Sequence, residues 1–227
     1  MEANFQRALA LTLKHEGGFA DHPSDPGGAT NKGITLKTFR QYVKHNGTVA
    51  DLKRITDAQV ATVYKLHYWN KVKGDDLPAG VDYAVFDFAV NSGPKRAAEY
   101  LQSLLLVKVD GIIGPQTIAA AKRADAGQLI NALCDKRLAF LEALETWETF
   151  GKGWTRRVSD VRIHALAMAM EGHTAPSPYP EPQTPAEPKP APVGKGGAIA
   201  ALFAALAAVG AWLANFPCNL FGFFCGG

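Results

Sequence analysis

Cysteine is scarce in this 227-residue chain. Its three, Cys134, Cys218 and Cys225, form an odd and widely spaced set. That excludes a disulfide scaffold and fits folding in a reducing compartment. Excess charge is scarce too: 24 Lys and Arg against 21 Asp and Glu leave +3, and no basic stripe interleaved with aromatics runs through the sequence. No nucleic-acid partner is therefore expected. The signatures HExxH, the phosphate loop, the dinucleotide fingerprint and GxSxG are all missing. His15, Asp21, His22 and Asp25 are metal-ligand types, but they sit in a short turn-rich stretch that does not fix three ligands. Neither a metal nor a cofactor is expected. Charges interrupt every apolar run in residues 1–20, so no secretory leader is expected there.

What the chain does contain is concentrated first in His15 to Thr35, HEGGFADHPSDPGGATNKGIT. Upstream, Phe5, Ala8, Leu9, Thr12 and Leu13 recur at helical spacing, and Glu16 continues that stripe. Gly17 and Gly18 then stop the helix. A carboxyl on the apolar side of a helix C-terminus is disfavoured as an anion by desolvation and by the helix dipole, which is the setting of a general acid. The solvent-side alternative is that Glu16 only ends an amphipathic helix. The turn formers that follow predict a loop or short glycine-rich hairpin. Asp25 and Thr30 lie on it, spaced so that the loop can bring them to face Glu16 across a gap. Two carboxyl groups about 6.5–9.5 Å apart leave room for a water behind a sugar ring, as in inverting glycosidases. Asp25 as an Asx cap before Pro26 is the competing role.

Helices continue downstream. Thr35 caps one that carries Leu36, Phe39 and Val43, and Thr56 with Gln59 forms a capping box for another that presents Val60, Val63, Tyr64 and His67. This second helix runs into Tyr68 and Trp69, whose rings either line a sugar groove or close over the core. Residues 80–90 are apolar on every side apart from Asp82 and Asp87, the pattern of a buried central helix. Asn91, at its end, either caps the helix or meets a substrate acetamide. Further helices are predicted over 96–106, over 116–123 with Pro115 at the first position, and over 127–148 and 154–171. The longer of the last two is expected to bury Leu129, Leu133, the Lys136 stem, Phe140 and Cys134.

The segments EGGF, DPGGATNKGIT, YWNKVKGDDLPAGVDYAVFDFAVNSG and DGIIGPQT occur together and in order. Jointly they resemble the glycoside hydrolase family 108 muramidases, in which a lysozyme-like domain precedes a predicted peptidoglycan-binding region. The resemblance implies cleavage of the β-1,4 bond between N-acetylmuramic acid and N-acetylglucosamine, with Glu16 as catalytic acid. The order Glu16, Asp25, Thr30 also resembles phage-type lysozymes, where the aspartate and threonine hold the attacking water, although the gap from Asp25 to Thr30 is one residue shorter here. Tyr68, Trp69 and Asn91 are candidate substrate contacts. A lytic transglycosylase at the same site and a non-catalytic wall-binding protein are the other readings.

Composition changes sharply after Gly172. Residues 173–195 hold eight prolines and read as a semi-rigid polyproline spacer. Residues 196–214 carry no charge, and 196–216 are long enough to cross a bilayer, with Trp212 near one end. Lys189 and Lys195 precede this span and no Lys or Arg follows it, which favours the folded part on the cytoplasmic side of a bacterial inner membrane. The expected architecture is mainly α. Residues 1–92 form a lysozyme-like muramidase domain with a glycine-rich loop or hairpin at the active site. Residues 93–172 form a helical peptidoglycan-binding region packed on it. A proline-rich linker (173–195), one transmembrane helix (196–216) and a short tail (217–227) follow. The expected partners are peptidoglycan glycan strands and, through 196–216, the lipid bilayer.

Overall fold

A computed structural model describes residues 2–21 and 28–173, all within one compact unit. The proline-rich segment, residues 196–216 with the proposed span, Cys218, Cys225 and Asp25 lie outside the described residues. No helix among the described residues is long and apolar enough to cross a membrane.

The fold is mainly α, with nine α-helices and one small hairpin among the described residues. In chain order these are α1 (Glu2–Thr12), β1 (Thr30–Asn31), β2 (Ile34–Thr35), α2 (Leu36–Tyr42), α3 (Val49–Lys53), α4 (Asp57–Tyr64), α5 (Val81–Ser92), α6 (Pro94–Leu104), α7 (Pro115–Arg123), α8 (Ala126–Glu142) and α9 (Trp147–His173). A π-helical turn, Lys65–Trp69, extends α4.

Helix α5 is the axis of the core. Every residue from Val81 to Ala89 is buried, the two aspartates included, because α1, α6, α8 and α9 pack around it. α1 contributes Phe5, Ala8, Leu9 and Thr12, the stripe read from its spacing. α9 contributes Val158, Val161, Ala165 and Met168. The caps form as their sequences predict: Thr35 accepts from the Thr38 amide, Thr56 and Gln59 make the reciprocal box, and Pro115 opens α7.

Three expectations need correction. Helix α3 was not anticipated; its five residues show too little periodicity, although Thr48 and Asp51 form a complete capping box. The break between the last two helices falls earlier than the one expected at 149–153, since α8 ends at Glu142 and α9 begins at Trp147. Gly151 lies within α9, where the Trp147 ring lies against the helix; a Cβ there would stand 2.7 Å from the indole. On α8, Lys136 is exposed and donates to Ser103 Oγ at 2.6 Å, while Arg137 takes the buried position.

Asp82 is buried at the start of α5, accepting from Asn4 Nδ2 at 2.9 Å and from the Tyr83 amide at 2.7 Å. Burial pushes its carboxyl up from 3.8 to about 6. The folded state therefore binds this proton more tightly than the unfolded chain, and stability falls as pH rises through the interval between those values. Asp82→Asn, with Asn4 turning its amide to match, is expected to remove that slope and add roughly 2 kcal/mol above it. Urea unfolding of both proteins across the interval measures the difference.

Candidate active site

The regular part of α1 ends at Thr12, and the chain continues in tighter turns: the Lys14, His15 and Glu16 amides donate to the carbonyls of Leu11, Thr12 and Leu13 at 3.2, 3.0 and 3.3 Å. Bonds of this i to i−3 kind are usual where a helix closes. They carry Glu16 to a half-buried position one turn past the helix proper, its side chain 17% exposed.

A cation meets it there. Arg157 Nη1 donates to Glu16 Oε1 at 2.9 Å. The same guanidinium forks onto Asp87, with Nε 3.0 Å from Oδ1 and Nη2 2.9 Å from Oδ2. Asp87 also accepts from Arg137 Nη1 at 2.8 Å and from Thr12 Oγ1 at 3.2 Å. Arg137, Asp87, Arg157 and Glu16 thus alternate in sign and sum to zero. Burial alone would push the Asp87 carboxyl up, but Arg137 and Arg157 outweigh it and hold the group at about 2. Burial likewise opposes the charge on Arg157, and Asp87 and then Glu16 more than restore it.

The second Glu16 oxygen accepts no hydrogen bond among the described residues and faces the hairpin. β1 and β2 pair antiparallel, Thr30 with Thr35 and Asn31 with Ile34, so Lys32 and Gly33 form a two-residue turn with φ of 48° and 74°. Tyr64 donates to the Lys32 carbonyl at 2.9 Å and anchors the turn. A Cβ on Gly33 would lie 2.7 Å from Glu16 Oε2 and also meet the Tyr64 hydroxyl. Glycine is required here by conformation and by space. Gly33→Ala is expected to displace the Glu16 carboxyl, lowering at least about tenfold any activity that depends on that carboxyl while costing on the order of 1 kcal/mol in stability. Activity assays beside thermal melts separate the two effects.

The other sequence candidates fall as follows. Thr30 is on β1, half-buried, its hydroxyl donating to the Gly28 carbonyl at 3.3 Å. Asp25 lies outside the described residues. Tyr68 is near enough to Glu16 that this charge, after burial, raises its phenol. Trp69 is a correction: its ring is fully enclosed, edge-on to Phe5 and Phe86, and its indole N–H donates to Asp75 at 3.0 Å. It closes the core and offers no face to a sugar. Asn91 is half-buried on the last turn of α5, accepting from Ser92 Oγ at 3.1 Å. His15 turns toward Asp160, with Nε2 3.9 Å from Oδ2. Sequence reading missed Arg157, Asp87, Arg137, Tyr64 and Gly33. Asp87 did carry a signal, since a carboxylate in an otherwise apolar helix needs either a cation, as Asp87 has, or hydrogen-bond donors, as Asp82 has.

The arrangement presents a carboxyl with one oxygen tethered and the other open, which can donate or accept a proton at a bound oxygen. Residues 9–93 match the family Glycosyl hydrolase 108, and residues 96–159 match the family described as Predicted Peptidoglycan domain. No curated protein matches the chain. Among solved structures, that of SagA from Brucella abortus is 50% identical, with a TM-score of 0.67, over 74% of this chain and 97% of the other. The chain belongs to the glycosyl hydrolase 108 family and is a glycoside hydrolase that acts on peptidoglycan.

Proposed function

We propose that this hydrolase cleaves the β-1,4 bond between N-acetylmuramic acid and N-acetylglucosamine, with Glu16 as the general acid. The observation that carries the reading is the Glu16 carboxyl itself, held through Oε1 by Arg157 at 2.9 Å, with Oε2 beside the Gly33 turn and without a hydrogen bond among the described residues. Arg157 shares its charge between Asp87 and Glu16, so the glutamate is oriented by a cation that another carboxylate already balances. In its protonated form Glu16 gives the proton on Oε2 to the glycosidic oxygen as the bond to the anomeric carbon breaks, and is left as the carboxylate that pairs with Arg157. Asp25, helped by Thr30, directs water to the opposite face, and the oxocarbenium-like centre collects it with inversion. Tyr68 and Asn91 contact the sugar. The match of residues 96–159 to a peptidoglycan domain supports the polymer as substrate.

End-group analysis tests this. Purified peptidoglycan digested by the full chain yields reducing muramic acid ends. Anhydro ends would replace hydrolysis by attack of the muramyl hydroxyl, and wall binding without cleavage would replace both. The proposal extends to location: residues 196–216 anchor the chain in the bacterial inner membrane and the enzyme acts on periplasmic peptidoglycan once it gains access. Protease digestion in intact spheroplasts spares a cytoplasmic-side enzyme and destroys an exported one.

A further inference from the structure

Next to Glu16 and Arg157 in sequence, His15 and Arg156 line a cavity of their own. It measures about 290 Å³ and is bounded also by Lys14, Tyr83, Asp160 and His164. α1's closing turns, α5 and α9 meet there. Nearly everything polar in it is a donor. Lys14 and Arg156 are cations with no carboxylate partner among the described residues, and His15 and His164 add two imidazoles. Asp160 is the one acidic group, 3.9 Å from His15 Nε2.

Tyr83, one of the lining residues, supplies an independent observation: it is completely buried, yet its hydroxyl has no hydrogen-bond partner among the described residues. Burial, and then the charge of Asp87, raise this phenol well above its ordinary value, so it stays an O–H donor. A buried donor left unpaired costs free energy that a ligand oxygen would return. Two cations without a carboxylate partner among the described residues, two imidazoles and a buried phenol together describe a place for an oxygen-bearing anion.

We propose that this cavity is an oxyanion site that takes the free carboxylate of a peptide carried by the wall substrate, or a phosphate. The carboxylate version rests on the chain's acting on peptidoglycan, whose cross-linking peptides carry such groups while its glycosidic linkages carry none. The site then holds the polymer by its peptide while the adjacent Glu16 addresses the sugar.

The test is titration of the full chain with N-acetyl-D-alanyl-D-alanine and, separately, with inorganic phosphate at constant ionic strength. Imidazole NMR shifts of His15 and His164 report occupancy. Saturable binding is expected, weakened about fivefold or more in Lys14→Gln/Arg156→Gln. Tyr83→Phe should also bind more weakly, without loss of stability. Saturation by the peptide alone assigns a substrate carboxylate, by phosphate alone a phosphate, and by both a general oxyanion site. No saturation by either, or equal binding to all variants, overturns the proposal. For the carboxylate version, wild type should hydrolyse intact peptidoglycan faster than strands stripped of peptide. Lys14→Gln/Arg156→Gln should lose that preference while keeping the rate on stripped strands, and an unchanged ratio would refute this version. A wild type that cleaves neither substrate would instead refute the hydrolase reading, with the titrations still deciding the cavity.

Discussion

Glu16→Gln lowers release of reducing ends from peptidoglycan by about 10²–10⁴-fold, the range that a general acid contributes. The amide keeps an acceptor for Arg157 Nη1, now 2.9 Å from Oε1, so the geometry survives while the carboxyl is lost. One negative charge leaves the row of four and Arg157 keeps only Asp87 as counter-ion, a change expected to cost about 1 kcal/mol in a half-buried site. The two readouts must therefore separate: activity collapses and the melting curve scarcely moves. Glu16→Asp sharpens the point, because it restores the carboxyl but draws it back by one methylene. It should recover little of the rate, since an error of about 1 Å in a reacting group costs up to about 10². Activity near wild type in Glu16→Gln would place the acid elsewhere.

Much of the frame around this residue was legible from spacing alone. The α1 stripe, the Thr35 cap, the Thr56–Gln59 capping box and the buried α5 follow from local rules, because each signal lies within a few residues of the element that it predicts. The hairpin was legible only as turn formers. Its two-residue strands have no periodicity to read, and what fixes them is the Lys32–Gly33 turn against Tyr64 and Glu16. The ion row was not legible. Periodicity tells which face of a helix is buried but not what it meets, and the partner of Glu16 lies 141 residues along the chain. Arg156 and Arg157 are adjacent arginines with opposite fates. One lines an open cavity and the other is buried between carboxylates. Lys136 and Arg137 divide in the same way, and a shift of one helix position, about 100°, decides each case.

The same row predicts that the two family segments cannot be separated. Asp87 and Glu16 belong to residues 9–93, whereas Arg137 and Arg157 belong to 96–159. Asp87→Ala leaves two buried guanidinium groups facing a vacancy, and loss of one partner from such a site costs about 3–5 kcal/mol. Total stabilities are only about 5–15 kcal/mol, so this single change should leave the protein at the edge of unfolding in urea. pH gives the matching signature. The Asp87 value is depressed from 3.8 to about 2, so its contribution is complete above the first of these values and is lost as pH falls through the second. Wild type should show that acid limb, and Asp87→Ala should lack it. Arg157→Lys keeps the charge but not the fork, and a single ammonium cannot hold Asp87 by two bonds while reaching Glu16. Activity should fall about tenfold or more in that variant, with a smaller stability loss than in Asp87→Ala. Residues 1–93 expressed alone should not fold, because α5 would lose α6, α8 and α9 and expose a helix that is apolar on every side. A folded and active 1–93 fragment would show that the second segment is an accessory; an unfolded one makes it a structural half of the enzyme, supplying the cation that orients Glu16.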